Sequence, residues 1–125
     1  IQTCPMVVCD TGHNVGGWEY LSKQLEMVKC QQLHIVFGMV NDKDIKGVMN
    51  LLPKKAIFYF TKPQSSRALN EKTVQILAAG HNLKGTSYPT VQEAYKAAKE
   101  AASIDDFIFI GGSSYLVGDF LKTCI

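Results

Sequence analysis

The segment from Phe107 to Ile110 is apolar at every position and is followed directly by two glycines. A strand that faces solvent on one side alternates apolar and polar residues, so a continuous apolar run indicates a strand covered on both faces. Parallel sheets flanked by helices provide that environment. The segment therefore predicts an α/β protein with a mainly parallel sheet between two layers of helices.

Strand-like and helix-like segments alternate along the chain. Short apolar runs predict strands at Met6–Cys9, Leu33–Gly38, Ala56–Phe60, Thr86–Tyr88 and Phe107–Ile110. The run from Met6 is interpreted as a buried strand. Residues at helical spacing predict a helix after each strand, and the stripe of the last helix is Leu116, Val117, Phe120 and Leu121. This order predicts a three-layer, Rossmann-like domain with helices on both faces of the sheet.

The starts of these helices carry recognisable capping residues. Asn14, Asp44 and Asn70 are the predicted N-caps of the first three helices. Thr90 and Glu93 form a capping box that begins a helix ending near residue 102. We therefore expect each helix to start close to the carboxyl end of the preceding strand.

Size and charge restrict the function classes that the chain can belong to. Its 125 residues fit one domain, and a formal net charge of +2 is too small to indicate a nucleic-acid partner. No apolar run approaches the roughly 20 residues that cross a bilayer, and the first residues do not resemble a signal peptide. We expect a monomeric, cytoplasmic domain without a nucleic-acid or membrane partner.

The four cysteines are Cys4, Cys9, Cys30 and Cys124, and no two of them form a Cys-x-x-Cys pair. Their spacing does not suggest a zinc site. We interpret them as reduced thiols that act as small apolar side chains, and we expect no metal ligands in this chain.

Polar residues stand where the predicted strands give way to helices. Asp10 and His13 follow the first strand, Lys43 follows the second and Ser113 follows the last. In doubly wound sheets, ligands bind outside the carboxyl ends of the strands, where helix N-termini favour anions. Each of these residues can equally be an ordinary turn or capping residue, and Lys43 can be a solvated lysine. Arg67, after the third strand, is a possible anion contact.

One histidine falls inside a predicted strand. His34 is the only strongly polar residue of the second strand. A histidine in that setting is interpreted as hydrogen-bonded or solvent-facing, with no catalytic role.

Three motifs occur in order along this alternating frame. The first reads Asp-Thr-Gly-His-Asn-Val from Asp10, the second Gly-Met-Val-Asn-Asp-Lys-Asp from Gly38, and the third Gly-Ser-Ser-Tyr from Gly112. They resemble the Asp-Gly-Ala-His-Asn-Pro, Gly-x-x-x-Asp-Lys-Asp and Gly-Ser-x-Tyr motifs of the Mur ligase C-terminal domain, specifically in its folylpolyglutamate synthase and dihydrofolate synthase branch. A Pro-x-x-x-Arg-Ala stretch of that branch also resembles the segment from Pro63 to Ala68. In the first motif, Thr-Gly replaces Gly-Ala, and Val15 replaces proline.

This resemblance implies an ATP-dependent ligase that joins glutamate to a folate or dihydropteroate through an acyl phosphate. Asp10 would accept hydrogen bonds from the ribose of ATP. His13, Lys43 and Ser113 would be the catalytic residues that border the glutamate and the transferred phosphoryl group, with Lys43 as a point charge. The implied cofactors are ATP and Mg²⁺, whose metal ligands are expected outside this chain.

The sequence lacks part of what such a ligase needs. No Gly-x-x-x-x-Gly-Lys-Ser/Thr phosphate loop occurs in it. We therefore expect residues 1–125 to be a C-terminal domain cut from a longer protein. That domain would pack against an N-terminal ATPase domain and be inactive alone.

Two other functions fit the strand and helix pattern. A receiver-like or partner-binding module would use Asp10 as a phosphoacceptor, although no acidic pair precedes Asp10 to hold a metal ion. A dinucleotide-binding domain would need a glycine fingerprint and an acid at the end of the second strand, and the sequence has neither. The resemblance leaves open whether dihydrofolate synthesis, polyglutamate extension or both is the activity.

Overall fold

A computed structural model describes residues 6–10, 15–40 and 45–124 of the chain. Its strands are β1 (Met6–Cys9), β2 (Leu33–Phe37), β3 (Ile57–Phe60), β4 (Lys84–Ser87) and β5 (Phe107–Gly111). Its helices are α1 (Val15–Met27), α2 (Ile45–Leu51), α3 (Glu71–Ala79), α4 (Val91–Ala101) and α5 (Ser114–Thr123). The predicted alternation of strands and helices is confirmed.

The strands form one sheet in the order β1-β5-β2-β3-β4, and every neighbouring pair is parallel. The central strand β2 pairs with β5 on one side and β3 on the other, so that Val36 lies beside both Ile110 and Tyr59. Both β2 and β5 are buried at all five positions. The parallel sheet predicted from the apolar run at Phe107 is therefore confirmed.

Side chains that alternate along the central strands separate the core into two layers. One cluster joins Phe37 and Phe109 to buried residues of α1, α2 and α3. The other joins Val36 and Ile110 to buried residues of α4 and α5. Helices thus cover both faces of the sheet, as the Rossmann-like prediction requires.

The predicted helix starts are confirmed where the structure describes them. The Asn70 side chain accepts the backbone N–H of Lys72 at the start of α3, and Thr90 accepts that of Glu93 at the start of α4. The predicted caps Asn14 and Asp44 lie outside the described residues. No helix within the described ranges is long and apolar enough to cross a membrane.

Two strands and one helix position differ from the expectation. β1 is an edge strand, not a buried one, and 53% of Met6 and 38% of Val8 are exposed. β4 begins at Lys84, two residues before the predicted strand, because Gly85 lets its backbone approach β3 closely. A Cβ atom at Gly85 would stand 2.2 Å from the Phe58 carbonyl oxygen. Leu121, placed on the apolar stripe of the last helix, is 49% exposed.

Candidate functional site

The backbone hydrogen bonds of the sheet continue past the carboxyl ends of the strands. The N–H of Asp10 donates to the carbonyl of Ile110 (3.1 Å), and the N–H of Gly38 donates to that of Gly111 (3.3 Å). The N–H of Thr61 donates to the Phe37 carbonyl at 2.9 Å. The segments that leave β1, β5, β2 and β3 therefore begin side by side at one edge of the sheet, which we call the carboxyl edge.

The winding of the chain reverses at β5. This strand lies between β1 and β2, whose following helices α1 and α2 pack on one face, while α5 packs on the other face. Chain segments that leave adjacent strands toward opposite faces open a crevice between them. The crevice beside β5 is therefore the place where this fold is expected to bind a ligand.

A glycine and a serine form the turn from β5 into α5. Gly112 has φ = +111°, and a Cβ atom there would stand 2.3 Å from the Gly38 carbonyl oxygen. Only glycine fits that backbone without strain. Ser113 is the N-cap of α5, and its Oγ accepts the N–H of Tyr115 at 3.1 Å. A hydroxyl that accepts one bond keeps its proton available for donation.

The structure brings together two of the four residues predicted to form the site. Asp10 is exposed at the end of β1, whereas Ser113 is 1% exposed after β5, the neighbouring strand. The side chain of Ser113 caps its own helix. His13 and Lys43 lie outside the described residues, so their roles stay predictions.

Three buried polar atoms at the starts of the helices and loops of this edge have no hydrogen-bond partner within the described part of the chain. They are Trp18 Nε1 in the first turn of α1, Thr61 Oγ1 after β3 and Glu71 Oε1 at the start of α3. Buried polar groups are almost always paired. All three belong to residues that follow the carboxyl ends of strands.

The opposite, amino edge of the sheet contains a closed polar network that the sequence did not reveal. His34 Nδ1 lies 2.8 Å from the Tyr59 hydroxyl, and His34 Nε2 lies 2.8 Å from a carboxylate oxygen of Asp106. The backbone N–H and hydroxyl of Ser103 also donate to Asp106. His34 is buried and hydrogen-bonded, so the solvent-facing alternative is wrong. In the sequence, the one sign of this network was Asp106, an acidic residue immediately before the last strand.

Two groups of the network have shifted pKa values. Burial raises the pKa of Asp106, but hydrogen bonds from His34 and Ser103 lower it by more, so the carboxyl pKa lies below its usual value. Burial, with nearby Tyr88 and Asp106, raises the pKa of Tyr59 to about 12. An ionised Asp106 accepts from His34 Nε2–H, and protonated Tyr59 can donate to Nδ1. Every polar atom of this network is thereby paired.

Cavities occur at both edges of the sheet. The larger, about 540 Å³, lies at the amino edge between the end of α1 and the start of β5, against Cys30, Ile104 and Phe107. A smaller one of about 220 Å³ lies at the carboxyl edge beside Lys62, Ser65 and Asn70. We place the candidate site at the carboxyl edge, because Asp10, Ser113 and the reversal of the winding occur there.

The described residues contain no cluster of three His, Cys, Asp or Glu side chains that could hold a metal ion. Cys9, Cys30 and Cys124 carry free thiols, and Cys4 lies outside the described residues.

Comparison with known proteins links this geometry to one group of enzymes. A family model described as Mur ligase, glutamate ligase domain, matches residues 1–114. The dihydrofolate synthase/folylpolyglutamate synthase of Buchnera aphidicola subsp. Schizaphis graminum is 27% identical over 125 residues. That alignment covers 94% of this chain and 28% of the relative.

Solved structures share the fold. Escherichia coli FolC in complex with DHPP and ADP has a TM-score of 0.82 at 25% identity, covering 92% of this chain and 27% of that one. The bifunctional folylpolyglutamate synthase/dihydrofolate synthase of Yersinia pestis, complexed with AMPPNP and Mn ion, has a TM-score of 0.78 at 25% identity. Its match covers 92% of this chain and 27% of that structure. The chain thus spans less than a third of these relatives.

Proposed function

The chain belongs to the Mur ligase family as a glutamate ligase domain, and we propose that it is the C-terminal domain of an ATP-dependent folylpolyglutamate or dihydrofolate synthase. The family match over residues 1–114 confirms the resemblance that three motifs indicated. It also removes the support for a receiver-like or dinucleotide-binding module. Because the chain spans 28% of its Buchnera relative, the activity, substrates and partners of a whole ligase are part of this proposal.

The proposed reaction has two steps. A carboxylate oxygen of the folate or dihydropteroate attacks the γ-phosphorus of ATP, and ADP leaves. The amine nitrogen of glutamate then attacks the carbonyl carbon of the acyl phosphate, inorganic phosphate leaves, and the amine loses a proton to give the amide. In the first step the negatively charged phosphoryl group moves from ATP to the carboxylate, and in the second it leaves as inorganic phosphate. Positioning and charge stabilisation are therefore the main tasks of the protein.

The observation that carries the proposal is the meeting of Asp10 and Ser113 at the ends of neighbouring strands, although they stand at opposite ends of the chain. We assign Asp10 to the ribose hydroxyls of ATP, because an exposed carboxylate is an acceptor for them. Ser113 donates its hydroxyl proton to a phosphoryl or carboxylate oxygen. Lys43 attracts the same oxygens as a point charge, and His13 orders the reacting groups or moves a proton.

Two relatives in solved structures contain ADP or AMPPNP, and one of these also contains manganese. They support ATP as the nucleotide of the proposed enzyme and a divalent ion such as Mg²⁺ as its metal. The described residues of this chain offer no cluster of metal ligands, so we assign them no step that involves the ion.

The partners follow from the reaction. The proposed enzyme binds ATP, L-glutamate and a folate or dihydropteroate, and this domain packs against an N-terminal ATPase domain of the same chain. We propose a monomer located in the cytoplasm, where ATP and glutamate are available as co-substrates.

The proposal is tested by comparing this chain with a longer protein that joins it to an N-terminal ATPase domain. The longer protein should release phosphate only when ATP, glutamate and a pteroate or folate acceptor are all present. The 125-residue chain should release none. Phosphate release without dependence on glutamate, or glutamate-dependent release by this chain alone, would contradict the proposal.

Substitution of Asp10 tests its nucleotide role in the longer protein. Losing a charged hydrogen-bond acceptor costs about 1.5 to 3 kcal/mol, so Asp10→Ala should raise the KM for ATP roughly ten- to a hundredfold. The matched control is Asp105→Ala, which removes an exposed aspartate at the opposite edge of the sheet. Equal kinetic constants for the two variants would argue against the assignment of Asp10.

A further inference from the structure

The segment between β3 and α3, which we call the 62–70 loop, is held on both sides. On one side it meets the residues that follow β2: the Leu69 N–H donates to the Met39 carbonyl at 2.8 Å, and Ala68 forms an antiparallel bridge with Val40. On the other side the N–H of Gln64 donates to a carboxylate oxygen of Asp119 at 2.5 Å. The loop therefore has a fixed place at the carboxyl edge.

Internal hydrogen bonds make the 62–70 loop a compact turn. The Ser65 N–H donates to the Pro63 carbonyl at 2.9 Å, and the Ala68 N–H donates to the Ser65 carbonyl at 3.0 Å. The Ser65 hydroxyl oxygen accepts the N–H of Arg67 at 3.2 Å. Rotation of the loop as a unit is therefore limited mainly by its two outer attachments.

Asp119 is the attachment that reaches the loop from α5, the helix that begins after Ser113. Its carboxylate accepts a backbone N–H, and hydrogen bonds of this charged kind are shorter and stronger than neutral ones. The Thr123 hydroxyl donates to the backbone carbonyl of Asp119, one turn earlier in the same helix. The Asp119 side chain thus connects α5, the helix that Ser113 caps, to the 62–70 loop.

Arg67 is the exposed cation of this loop, which also contains the half-buried Lys62. Its side chain is exposed, and within the described ranges no carboxylate lies within ion-pairing distance of its guanidinium. The bridge between Ala68 and Val40 places Arg67 close to the residues that follow β2. A guanidinium that has no ion-pair partner among the described residues, on a loop held at both sides, suits a carboxylate ligand.

We infer that Asp119 is a positioning residue, which holds the 62–70 loop so that Arg67 faces a carboxylate of the incoming glutamate. This inference rests on the proposed ligase function. Arginine loses rotamer freedom when it binds, and a preformed loop reduces the additional ordering that binding requires. Asp119 itself touches neither substrate nor reacting atom, and it acts through the loop.

The test measures kinetics of the longer ligase with Asp119→Ala, Arg67→Ala and the double variant. Asp119→Ala should raise the KM for glutamate about fivefold to twentyfold and leave the KM for ATP within about twofold. Asp119→Asn should restore most of the loss, because an amide oxygen can still accept the Gln64 N–H. Lys122→Ala, an exposed change on the same helix, is the matched control.

The double variant separates positioning from general stabilisation. If Asp119 acts through Arg67, adding Asp119→Ala to Arg67→Ala should change the glutamate KM by less than about twofold. Additive effects, equal losses for ATP and glutamate, or a lowered melting temperature that accounts for the loss would overturn the inference. These outcomes leave the proposed function intact, whereas an unsubstituted enzyme without glutamate dependence would refute both.

Discussion

The two ends of the same parallel sheet are built differently. At the amino edge, Ser103, Asp106, His34 and Tyr59 pair their buried polar atoms with one another. At the carboxyl edge, Asp10 is exposed, and buried polar atoms of other residues have no partner within the described chain. Internal pairing stabilises a fold, whereas exposed polar groups at the carboxyl ends of parallel strands lie where such folds bind ligands. Stability and function are thus assigned to opposite ends of the strands.

The largest expected effect is on the amino edge. Asp106→Ala removes the acceptor of hydrogen bonds from His34 Nε2 and from the N–H and hydroxyl of Ser103. Leaving these donors buried or partly buried without a partner should lower the free energy of unfolding by about 3 kcal/mol. Denaturant unfolding of the 125-residue chain measures this. Asp105→Ala, an exposed neighbour, should cost less than about 0.5 kcal/mol. Similar losses for both variants would remove the contrast between the edges.

The carboxyl edge is not uniformly less stable than the amino edge, because it contains Gly112, whose backbone conformation is fixed by close contact with its neighbours. Gly112→Ala would require φ = +111° for a residue with a Cβ atom that meets the Gly38 carbonyl oxygen at 2.3 Å. We expect a loss of about 2 to 3 kcal/mol in unfolding free energy. Gly118→Ala is the matched control, since a Cβ atom there meets nothing within 4 Å. A Gly112→Ala variant that melts like the parent would show that this turn relaxes freely.

A third test uses pH. The pKa of Asp106 is lowered in the folded state, so its contribution to stability is present above the unfolded pKa of 3.8 and is lost as pH falls through the folded value. The unfolding free energy of the parent chain should therefore fall more steeply below about pH 4 than that of Asp106→Asn. The two curves should converge in acid. Parallel curves across this range would show that the Asp106 carboxylate contributes nothing specific.

The strands and helices could be predicted from the sequence because local residue patterns determine them. The apolar run from Phe107 indicates a strand covered on both faces, and the capping residues Asn70 and Thr90 determine where their helices begin. The polar network was not predictable in the same way. His34 and Asp106 are distant in sequence and meet only because β5 inserts beside β2. No local residue pattern indicates that β5 lies between β1 and β2.

The site was predictable in part for the same reason. Asp10 and Ser113 each follow a strand, and parallel strands bring their carboxyl ends to one edge whatever their order. The brace between Asp119 and Gln64 depends instead on where α5 crosses the loop after β3. Such a contact depends on packing of the whole domain and leaves no spacing signal in the sequence.

A smaller effect is expected at Ser113, which has two roles. Ser113→Ala removes the N-cap of α5 and should cost about 1 kcal/mol of stability, the typical value for a cap. Thr90→Ala removes the N-cap of α4 and should cost a similar amount. In the longer ligase, only the change at Ser113 should also lower kcat, because its hydroxyl proton is assigned to the ligand. Equal kcat values for both variants would make Ser113 a cap alone.

The smallest effect compares two hydroxyls in and just after β3, one that reaches the amino-edge network and one at the carboxyl edge. Thr61 follows β3 at the carboxyl edge, and its fully buried hydroxyl has no partner among the described residues. Thr61→Val keeps the shape and removes an unpaired polar group, so the unfolding free energy should stay constant or rise by up to about 1 kcal/mol. Tyr59→Phe, two residues earlier, removes a hydroxyl that is paired with His34, and it should lower the free energy by about 1 kcal/mol. Chemical denaturation of the isolated chain measures both changes under one condition. Opposite signs would extend the contrast between the edges to these two hydroxyls, whereas a clear loss for Thr61→Val would show that its hydroxyl is paired in solution and that the carboxyl edge is already complete.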